Sequence, residues 1–410
     1  MNHPSRYPWV LVGLLWVVAL LNYMDRQMLA TMRPSMQVDI ADLQLATNFG
    51  RLMAIFLWVY ALMSPVAGMI GDRVNRKWLI IGSLFVWSGV TFAMGYATTF
   101  TQLYVLRALM GISEALYMPV GLAMIADFHS ARTRSLAVGI HLTGNYMGQA
   151  LGGFGATIAD EFSWHTAFQS FGLTGMVYAL ILMVFLKDKN SHKDTIQPSA
   201  TETPPLFKGL GVLLGDVSFW FILFYFAVPS LPGWAIKNWL PTLFADKLGI
   251  EMAQAGPLAT ITTSLSSLLG LIIGGIVSDR WLQRHLRGRI YTSVLGLSLT
   301  IPALLLIAYG SSLGHAIAAG ICFGFGFGLF DGNNMPILCQ FVSAKYRATG
   351  YGLMNMVGIM AGAFITDWLG KSTDKGNLAA DFALLAGVVG VAIVVQLMFL
   401  KPKTKDFVEE

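Results

Sequence analysis

Four charged side chains lie inside stretches of sequence that are otherwise apolar. Asp25 and Arg26 are adjacent near the end of the first apolar segment, and Arg107 and Glu114 stand seven residues apart in the fourth. Seven residues make two turns of helix, so Arg107 and Glu114 share one face. Neighbouring helical residues point ~100° apart, so Asp25 and Arg26 reach in separate directions. We expect them to meet Glu114 and Arg107 in one buried cluster of two acids and two bases.

These residue types suit the coupled binding of a proton and an anion. Burial disfavours the charge of a carboxylate and a nearby arginine favours it, so a carboxylate that changes arginine partners releases and takes up a proton. The freed guanidinium can hold a ligand carboxylate through two hydrogen bonds. We predict Asp25 and Glu114 as proton-coupling residues and Arg26 and Arg107 as anion-binding residues. The alternative is an ion-pair network that only joins two helices, a task that apolar packing performs equally well.

The elements that hold this cluster are predicted to cross a membrane. Of the 410 residues, 55% are hydrophobic and 12% are charged, whereas a soluble protein has roughly 25% charged residues. The apolar residues fill runs of about 20, the length that spans a ~30 Å hydrocarbon core. Cys322 and Cys339 fall in one predicted helix, ~25 Å apart, too far for a disulfide. We therefore expect an all-α membrane protein without redox chemistry.

Twelve apolar segments can be counted along the chain. They cover approximately residues 8–31, 50–71, 78–97, 102–127, 135–159, 165–186, 216–244, 254–278, 289–309, 313–342, 348–369 and 378–400. Between the sixth and seventh lies a polar stretch with Pro, Ser and Thr that is typical of a flexible linker. We predict twelve transmembrane helices in two pseudo-symmetric six-helix bundles, residues 1–186 and 216–410, joined by a cytoplasmic linker at 187–215.

The distribution of Lys and Arg predicts the orientation of these segments. Nineteen of these residues lie in the termini, the linker and the loops on one side, and five lie in the loops on the opposite side. Because cytoplasmic loops carry the excess of positive charge, we expect both termini and the linker in the cytoplasm. The net charge of +5 is thereby explained without nucleic acid as a partner.

Sequence repeats relate the two halves of the chain. The stretch "GMIGDRVNRK" after the second segment is echoed by "GGIVSDRWLQR" after the eighth at an offset of 207 residues, which Pro34 and Pro241 share. A weaker echo pairs "EALYMP" in the fourth segment with "DGNNMP" in the tenth. Duplicated halves with a site near the membrane midplane are typical of secondary transporters.

The residues from Gly71 to Lys77, "GDRVNRK", resemble the signature of the major facilitator superfamily, and the resemblance covers essentially the whole chain. "NYMDR", "RALMGISEALYMP" and "NWLPTLF" resemble the anion:cation symporter branch, which moves organic anions such as sugar acids with protons. "LLNYMDR" with "GDRVNRK" also resembles the Spinster branch, which moves lysolipids. Ala115 followed by Pro119 departs from the Spinster pattern, and "DGNNMPILCQ" is typical of neither branch.

The resemblance implies that the loop after the second segment acts in gating. In the family, such a loop forms an ionic lock to a neighbouring helix that holds one conformation. Asp127, at the end of the fourth segment, is the acidic partner that we expect. An anchor that only fixed topology would need cations alone, and Asp72 is an acid. The predicted gating residues are Gly71, Asp72, Arg73, Arg76, Asp127, Asp279 and Arg280.

Further polar residues inside predicted helices are expected to line a substrate cavity. The fifth segment carries a polar stripe at every fourth residue beside the glycines of "GNYMGQALG", whose spacing favours close helix packing. Interhelical hydrogen bonds for the stripe, snorkelling for Lys237 and an interfacial belt for the tyrosines are the alternatives. The predicted substrate contacts besides Arg26 and Arg107 are Tyr23, Tyr60, His141, Asn145, Gln149, Lys237, Asn238, Asp331, Asn333 and Asn334.

Together these features predict a secondary active transporter that carries an organic anion, an acidic monosaccharide such as a sialate or uronate, with a proton by alternating access. A Spinster-like transporter of lysolipids or amphipathic drugs is the alternative. The sequence has no metal-ligand spacing and no nucleophile elbow, so we expect no enzyme activity, no metal and no cofactor. The expected coupling ion is H⁺, with Na⁺ left open. We expect a monomer in a bacterial cytoplasmic (inner) membrane, whose partners are the lipid bilayer and a small anionic substrate.

Overall fold

The computed structural model of the protein describes residues 6–187, 206–343, 346–402 and 404. These residues form helices joined by short turns, and they contain no strand. A helix satisfies its backbone N–H and C=O groups internally, which a segment in hydrocarbon requires. The fold is therefore all-α, as the composition predicts.

The described residues form sixteen α-helices. In the first half of the chain they are α1 (Tyr7–Asp39), α2 (Ala46–Arg73), α3 (Arg76–Met94), α4 (Phe100–Ala115), α5 (Tyr117–Phe128), α6 (Ala131–Gly152), α7 (Gly155–Glu161) and α8 (Trp164–Phe185). In the second half they are α9 (Leu206–Gly215), α10 (Val217–Leu248), α11 (Met252–Arg284), α12 (Gly288–Tyr309), α13 (Leu313–Asp331), α14 (Asn334–Phe341), α15 (Arg347–Asp374) and α16 (Leu378–Phe399).

Eleven helical segments within the described residues are long and apolar enough to cross a membrane. The pair α4 and α5 forms one of these spans, and the pair α13 and α14 forms another. The protein is therefore a multi-pass membrane protein. Of the twelve segments that the sequence predicts, the one at 135–159, which corresponds to α6 and α7, is absent from the eleven.

Two predicted segments, 102–127 and 313–342, are each divided into two helices. α4 ends at Ala115, and Pro119, four residues later, has no N–H to donate to the carbonyl of that residue. α13 is followed by Gly332, and Pro336 again lies four residues later. In both breaks the proline is the third residue of the second helix, α5 or α14, and the apolar runs continue across the breaks.

The chain divides into two compact units. The first unit comprises Met1–Ser191, Lys237–Ile261 and Thr366–Asp374. The second comprises His192–Ile236, Thr262–Ile365 and Lys375–Glu410. Short pieces of α10, α11 and α15 thus belong to the same unit as α1–α8.

In the first unit, α1 packs closely against α6 because glycines line the contact. A Cβ atom on Gly144 would lie 2.7 Å from the carbonyl oxygen of Trp16, and one on Gly152 would lie 2.6 Å from the Cβ of Gln27. Neither distance is compatible with a side chain. The glycine line that the sequence predicted for packing therefore has that role.

Pieces of later helices in the first unit contact α1 and α2 through specific hydrogen bonds. The Gln27 side chain donates to the carbonyl oxygen of Lys237 at 2.7 Å. The Asp374 carboxylate accepts from the backbone N–H groups of Ala46 at 2.7 Å and Thr47 at 2.8 Å. Asp374 thereby caps α2, whose first N–H groups have no partner within the helix.

Apolar side chains also cover the outside of the protein, as a bilayer environment requires. On α8, Leu173, Val177, Leu180 and Val184 follow one helical face and are 47–73% exposed. A contiguous apolar face of this kind on a soluble protein would need a partner. Here the hydrocarbon of the membrane is the natural environment for this face.

The predicted linker, 187–215, ends in an ordered helix. α9 occupies Leu206–Gly215, where the sequence "LFKGLGVLLG" is apolar rather than linker-like. The polar stretch at 188–205 lies outside the described residues.

Candidate functional site

The charged cluster forms where α1 meets α4 in the first unit. The Arg26 Nε donates to Oε2 of Glu114 at 2.6 Å, which makes a charge-assisted ion pair. Glu114 is fully buried, and Arg107 is only 3% exposed. The sequence prediction that Arg26 and Glu114 meet is therefore confirmed.

Asn22 is a member of this cluster that the sequence analysis did not single out. Its side-chain Nδ2 donates to the same Oε2 atom of Glu114 at 2.9 Å, and the side chain is fully buried. Asn22 precedes Arg26 by one helical turn, so both side chains lie on one face of α1. The signal was present in "NYMDR", whose first residue is this asparagine.

Aromatic rings enclose the two guanidinium groups. Arg26 lies over the rings of Tyr23, Phe56 and Tyr60 at 4.8–5.0 Å from their centroids. Arg107 lies over the Phe56 ring at 4.5 Å. Phe56 therefore contacts both cations through its π system, and the sequence analysis missed this residue because a lone Phe in an apolar run carries no distinguishing pattern.

Arg107 has no carboxylate partner within 4.0 Å in the described part of the chain. Its Nη1 approaches the Sδ atom of Met110 at 3.3 Å, and its buried Nε has no hydrogen-bond acceptor among the same residues. A thioether is a weak acceptor. The guanidinium of Arg107 is thus buried with most of its donor capacity unused.

The Asp25 carboxylate has its hydrogen-bond contact with α3. The Thr91 hydroxyl lies 3.4 Å from Oδ2 of Asp25, and no described cation lies within 4.0 Å of the Asp25 carboxylate. Asp25 therefore forms no ion pair with a described arginine in this conformation, but it is buried and interacts electrostatically with Glu114, Arg107 and Arg26, so it belongs to the expected cluster. The lack of an ion pair follows from the ~100° between neighbouring helical residues, which directs Asp25 to α3 when Arg26 faces α4.

The polar stripe of the fifth segment lies inside α6 and is buried. His141 is fully buried, and Asn145 and Gln149 are each 7% exposed. The His141 ring lies 6.0 Å from the ring of Tyr117, whose hydroxyl donates to the Leu15 carbonyl oxygen. The structure brings these residues into the first unit but gives them no hydrogen bond to the charged cluster among the described side chains.

Two further predicted substrate contacts belong to the first unit. Lys237 contributes its backbone carbonyl to the hydrogen bond with Gln27. The Asn238 side chain donates to the Thr366 hydroxyl at 2.8 Å.

The predicted contacts of the tenth segment lie in the second unit, at the break between α13 and α14. The Asn334 side chain donates to Asp331 at 3.1 Å and accepts from the Tyr225 hydroxyl at 3.0 Å. The Asn333 side chain is fully buried and donates to the Leu329 carbonyl oxygen. These bonds pair polar groups around the helix break.

The gating residues are described in part. Arg76 forms an ion pair with Asp127, the acid that we expected as its partner. In the repeated loop, Asp279 lies 3.8 Å from Arg289, and Arg280 is exposed. The side chains of Asp72 and Arg73, which follow Gly71, lie outside the described part of the structure. The gating role stays a prediction.

Helices long enough to cross a membrane surround a buried cluster of charges, and intramembrane charges of this kind mark the substrate and ion pathways of membrane transporters. Within the described residues, no group of three His, Cys, Asp or Glu side chains could hold a metal ion. The chain belongs to the Major Facilitator Superfamily, which it matches over residues 15–366.

Individual relatives show what similar chains carry. The protein is 26% identical to the 4-hydroxybenzoate transporter PcaK of Pseudomonas putida, over 90% of this chain and 86% of the relative. It is 24% identical to the hexuronate transporter of Bacillus subtilis, over 95% and 93%. Its fold resembles the crystal structure of a bacterial homologue of the human lysosomal transporter Spinster, in an inward-facing and unoccupied conformation, with a TM-score of 0.82, 18% identity and full coverage of both chains.

Proposed function

We propose that this protein is a secondary active transporter that carries an organic anion, an acidic monosaccharide, together with a proton. The observation that carries the proposal is the ion pair between Arg26 and Glu114, beside a second buried arginine, Arg107, without a carboxylate partner among the described residues. One acid and two arginines supply one proton site and a place for one anion.

The proposed cycle follows from the charge of Glu114. A proton on Glu114 removes the charge that holds Arg26 at 2.6 Å, so Arg26 is released. Arg26 and Arg107 then bind the substrate carboxylate, which arginine does in bidentate fashion. Loss of the proton restores the pair of Arg26 with Glu114 and releases the anion. Proton and anion are thus bound together and released together.

The choice of substrate rests on charge and on relatives. Two buried guanidinium groups favour a carboxylate, and 4-hydroxybenzoate and hexuronate, which name the relatives' substrates, are both carboxylates. Side-chain amides suit a polyhydroxylated anion better than a lipid tail. In the first unit, Asn145, Gln149 and Asn238 supply them.

The remaining parts of the proposal concern the membrane. We take α6 with α7 as the twelfth span, which completes two six-helix bundles. Both termini face the cytoplasm of a bacterial cell, and the protein acts as a monomer in the cytoplasmic membrane. The coupling ion is the proton, and no cofactor takes part.

Uptake into proteoliposomes tests this function. The purified protein is reconstituted, and radiolabelled galacturonate or gluconate is supplied under an inside-alkaline pH gradient, an equivalent Na⁺ gradient, or no gradient. We expect accumulation above equilibrium with the pH gradient only, abolished by a protonophore. Accumulation with the Na⁺ gradient alone would show that the coupling ion is Na⁺ rather than H⁺. Transport of lysophosphatidylethanolamine without any transport of the sugar acids would overturn the proposed substrate class.

A further inference from the structure

The two donors to Glu114 converge on a single oxygen atom. Arg26 and Asn22 both donate to Oε2, at 2.6 Å and 2.9 Å. In the described structure, Oε1 of Glu114 is buried without a hydrogen-bond partner, and so is Oδ1 of Asn22. The ionised carboxylate is therefore bound through one oxygen, and the Asn22 amide has an unused acceptor.

Arg26 and Asn22 differ in what they can offer to Glu114. A guanidinium only donates hydrogen bonds, so Arg26 can donate to the ionised carboxylate or to the C=O of the protonated acid, but it cannot accept a hydrogen bond from the O–H group of the acid. A carboxamide has both a donor NH₂ and an acceptor oxygen. Because an ionised carboxylate only accepts, Asn22 must present its NH₂ in the state with the ion pair.

We propose that Asn22 is the positioning residue that keeps Glu114 hydrogen-bonded in both of its protonation states. In the ionised state, Nδ2 donates to the carboxylate as observed. When Glu114 takes up a proton and Arg26 departs, a half-turn of the amide presents Oδ1 to the new O–H group. This inference rests on the proposed function, since it assigns a partner to the proton-carrying state of Glu114.

The other charged and titratable groups around Glu114 are not placed to accept a hydrogen bond from its protonated form. Arg26 from α1 and Arg107 from α4 can only donate. Asp25 lies beside Thr91 of α3, and the Tyr60 hydroxyl of α2 is hydrogen-bonded with Arg26. Asn22 is the carboxamide in hydrogen-bond contact with Glu114 in the described structure.

Infrared titration of the purified protein tests the proposal without any substrate. The carboxylic acid C=O band of Glu114, identified by its loss in Glu114→Gln, is followed against pH in the wild type and in Asn22→Leu, which matches the asparagine in size. Asn22→Leu removes a charge-assisted hydrogen bond from the ionised carboxylate and a weaker, neutral one from the protonated acid. Because the first loss is the larger, we expect the titration midpoint to rise by about one pH unit, a tenfold change in proton affinity. The C=O band should also move to the frequency of an unbonded acid.

Two more variants separate this role from general damage to the fold. Thr31→Val replaces another fully buried polar residue of α1, which bonds to Met28 and Ala156 rather than to the cluster, and it should leave the Glu114 band unchanged. Asn22→Ser, with a hydroxyl that donates and accepts, should restore the midpoint most of the way and remains informative where Asn22→Leu does not fold.

The outcomes also separate this inference from the proposed function. A Glu114 C=O band whose frequency is the same in the wild type and in Asn22→Leu would overturn the role of Asn22 in the protonated state, whatever the transport assays show. An identical titration midpoint in the wild type, Asn22→Leu and Asn22→Ser would overturn its role in the ionised state. A shifted titration in Asn22→Leu, combined with wild-type protein that accumulates no sugar acid, would preserve the role of Asn22 and remove the proposed substrate.

Discussion

Arg26 and Arg107 occupy one cluster but have different partners. Arg26 is bound to Glu114, whereas Arg107 contacts the Phe56 ring and the Met110 sulfur. In the proposed cycle, an arriving anion would meet no competing acid at Arg107, whereas Arg26 becomes free only when Glu114 takes up a proton. We therefore expect the substrate to contact Arg107 first and Arg26 second.

Neutralising Glu114 should separate transport from proton coupling. In Glu114→Gln the side chain keeps its size but can neither hold Arg26 as an ion pair nor carry the proton. We expect no accumulation under a pH gradient and counterflow exchange within about tenfold of the wild-type rate, because loss of one buried charge-assisted hydrogen bond corresponds to roughly that factor. Asp25→Asn is expected to behave similarly. Full gradient-driven accumulation in either variant would remove that residue from the coupling role.

Removing the shared ring should weaken anion binding. Phe56 faces both guanidinium groups at 4.5–4.8 Å, so Phe56→Leu loses two cation–π contacts and leaves both cations less well placed. We expect the affinity for galacturonate, measured by isothermal titration calorimetry, to fall about fivefold or more. Phe49→Leu, at another fully buried ring of α2, is the control and should leave affinity unchanged. Equal affinities in both variants would show that the ring does not position the arginines.

Residue types predicted the members of the cluster better than their pairings. Asp25, Arg26, Arg107 and Glu114 stand out because charges inside apolar segments need a reason. The contact of Asp25 with Thr91 depends on how α1 is rotated relative to α3. The sequence of α1 alone does not define that rotation, because it is set by the packing of the two helices. Asn22 was readable from its spacing to Arg26, since one helical turn places the two on one face.

At the scale of helices, the closeness of α1 and α6 determines where the cluster sits. Trp16 and Gln27 of α1 lie against Gly144 and Gly152 of α6. A larger residue on this line would push α1 away from α6, and Arg26 on α1 would move with it. The glycines of α6 therefore help to position Arg26 only indirectly, by letting α1 pack closely against α6.

Substitution of one of these glycines should lower the stability of the protein. We expect Gly144→Ala to lower the melting temperature of the detergent-solubilised protein, because its Cβ would lie 2.7 Å from the Trp16 carbonyl oxygen. Gly139→Ala lies on the same helix with no atom within 4 Å of its added Cβ, so it should be neutral or stabilising by up to about 1 kcal/mol. Equal melting temperatures for the two variants would contradict close packing at this line.

Helix existence was predictable, but helix continuity was not. Apolar runs of membrane-spanning length appear wherever the structure has a span, and their edges differ from those of the spans by up to eight residues. The breaks beside Pro119 and Pro336 lie within apolar runs. Proline in a membrane helix is compatible with either a kink or a break. Which one forms depends on neighbouring helices that the local sequence does not specify.

At the scale of the whole molecule, the orientation in the membrane is open to direct test. In a variant with Cys322 and Cys339 replaced by Ser, a single cysteine is introduced by Gln44→Cys, before α2, or by Val74→Cys, after it. Both positions are exposed. We expect a membrane-impermeant maleimide to label position 44 in intact cells and position 74 only after permeabilisation, because the loop after α2 carries the positive charges. The reverse pattern would invert the proposed topology.

The division into units also differs from the simple halves that the linker suggests. The repeats and the linker predicted a boundary at residues 187–215, yet Lys237–Ile261 and Thr366–Asp374 belong to the first unit. Their membership depends on contacts such as those of Asp374 with Ala46 and of Gln27 with Lys237. Residues distant in sequence make these contacts, so no local sequence pattern predicts them.

The Asp374 cap on α2 has a consequence for recombining this chain with its relatives. A chimera joined at the linker would take its first half from one parent and Thr366–Asp374 from the other. Position 374 would then be inherited separately from Ala46 and Thr47, whose N–H groups it binds. Hybrids that take Lys237–Ile261 and Thr366–Asp374 from the same parent as the first half preserve these contacts. We therefore expect chimeras made to exchange substrate preference to be more stable when their crossover points lie at the borders of these two segments than when they lie in the linker.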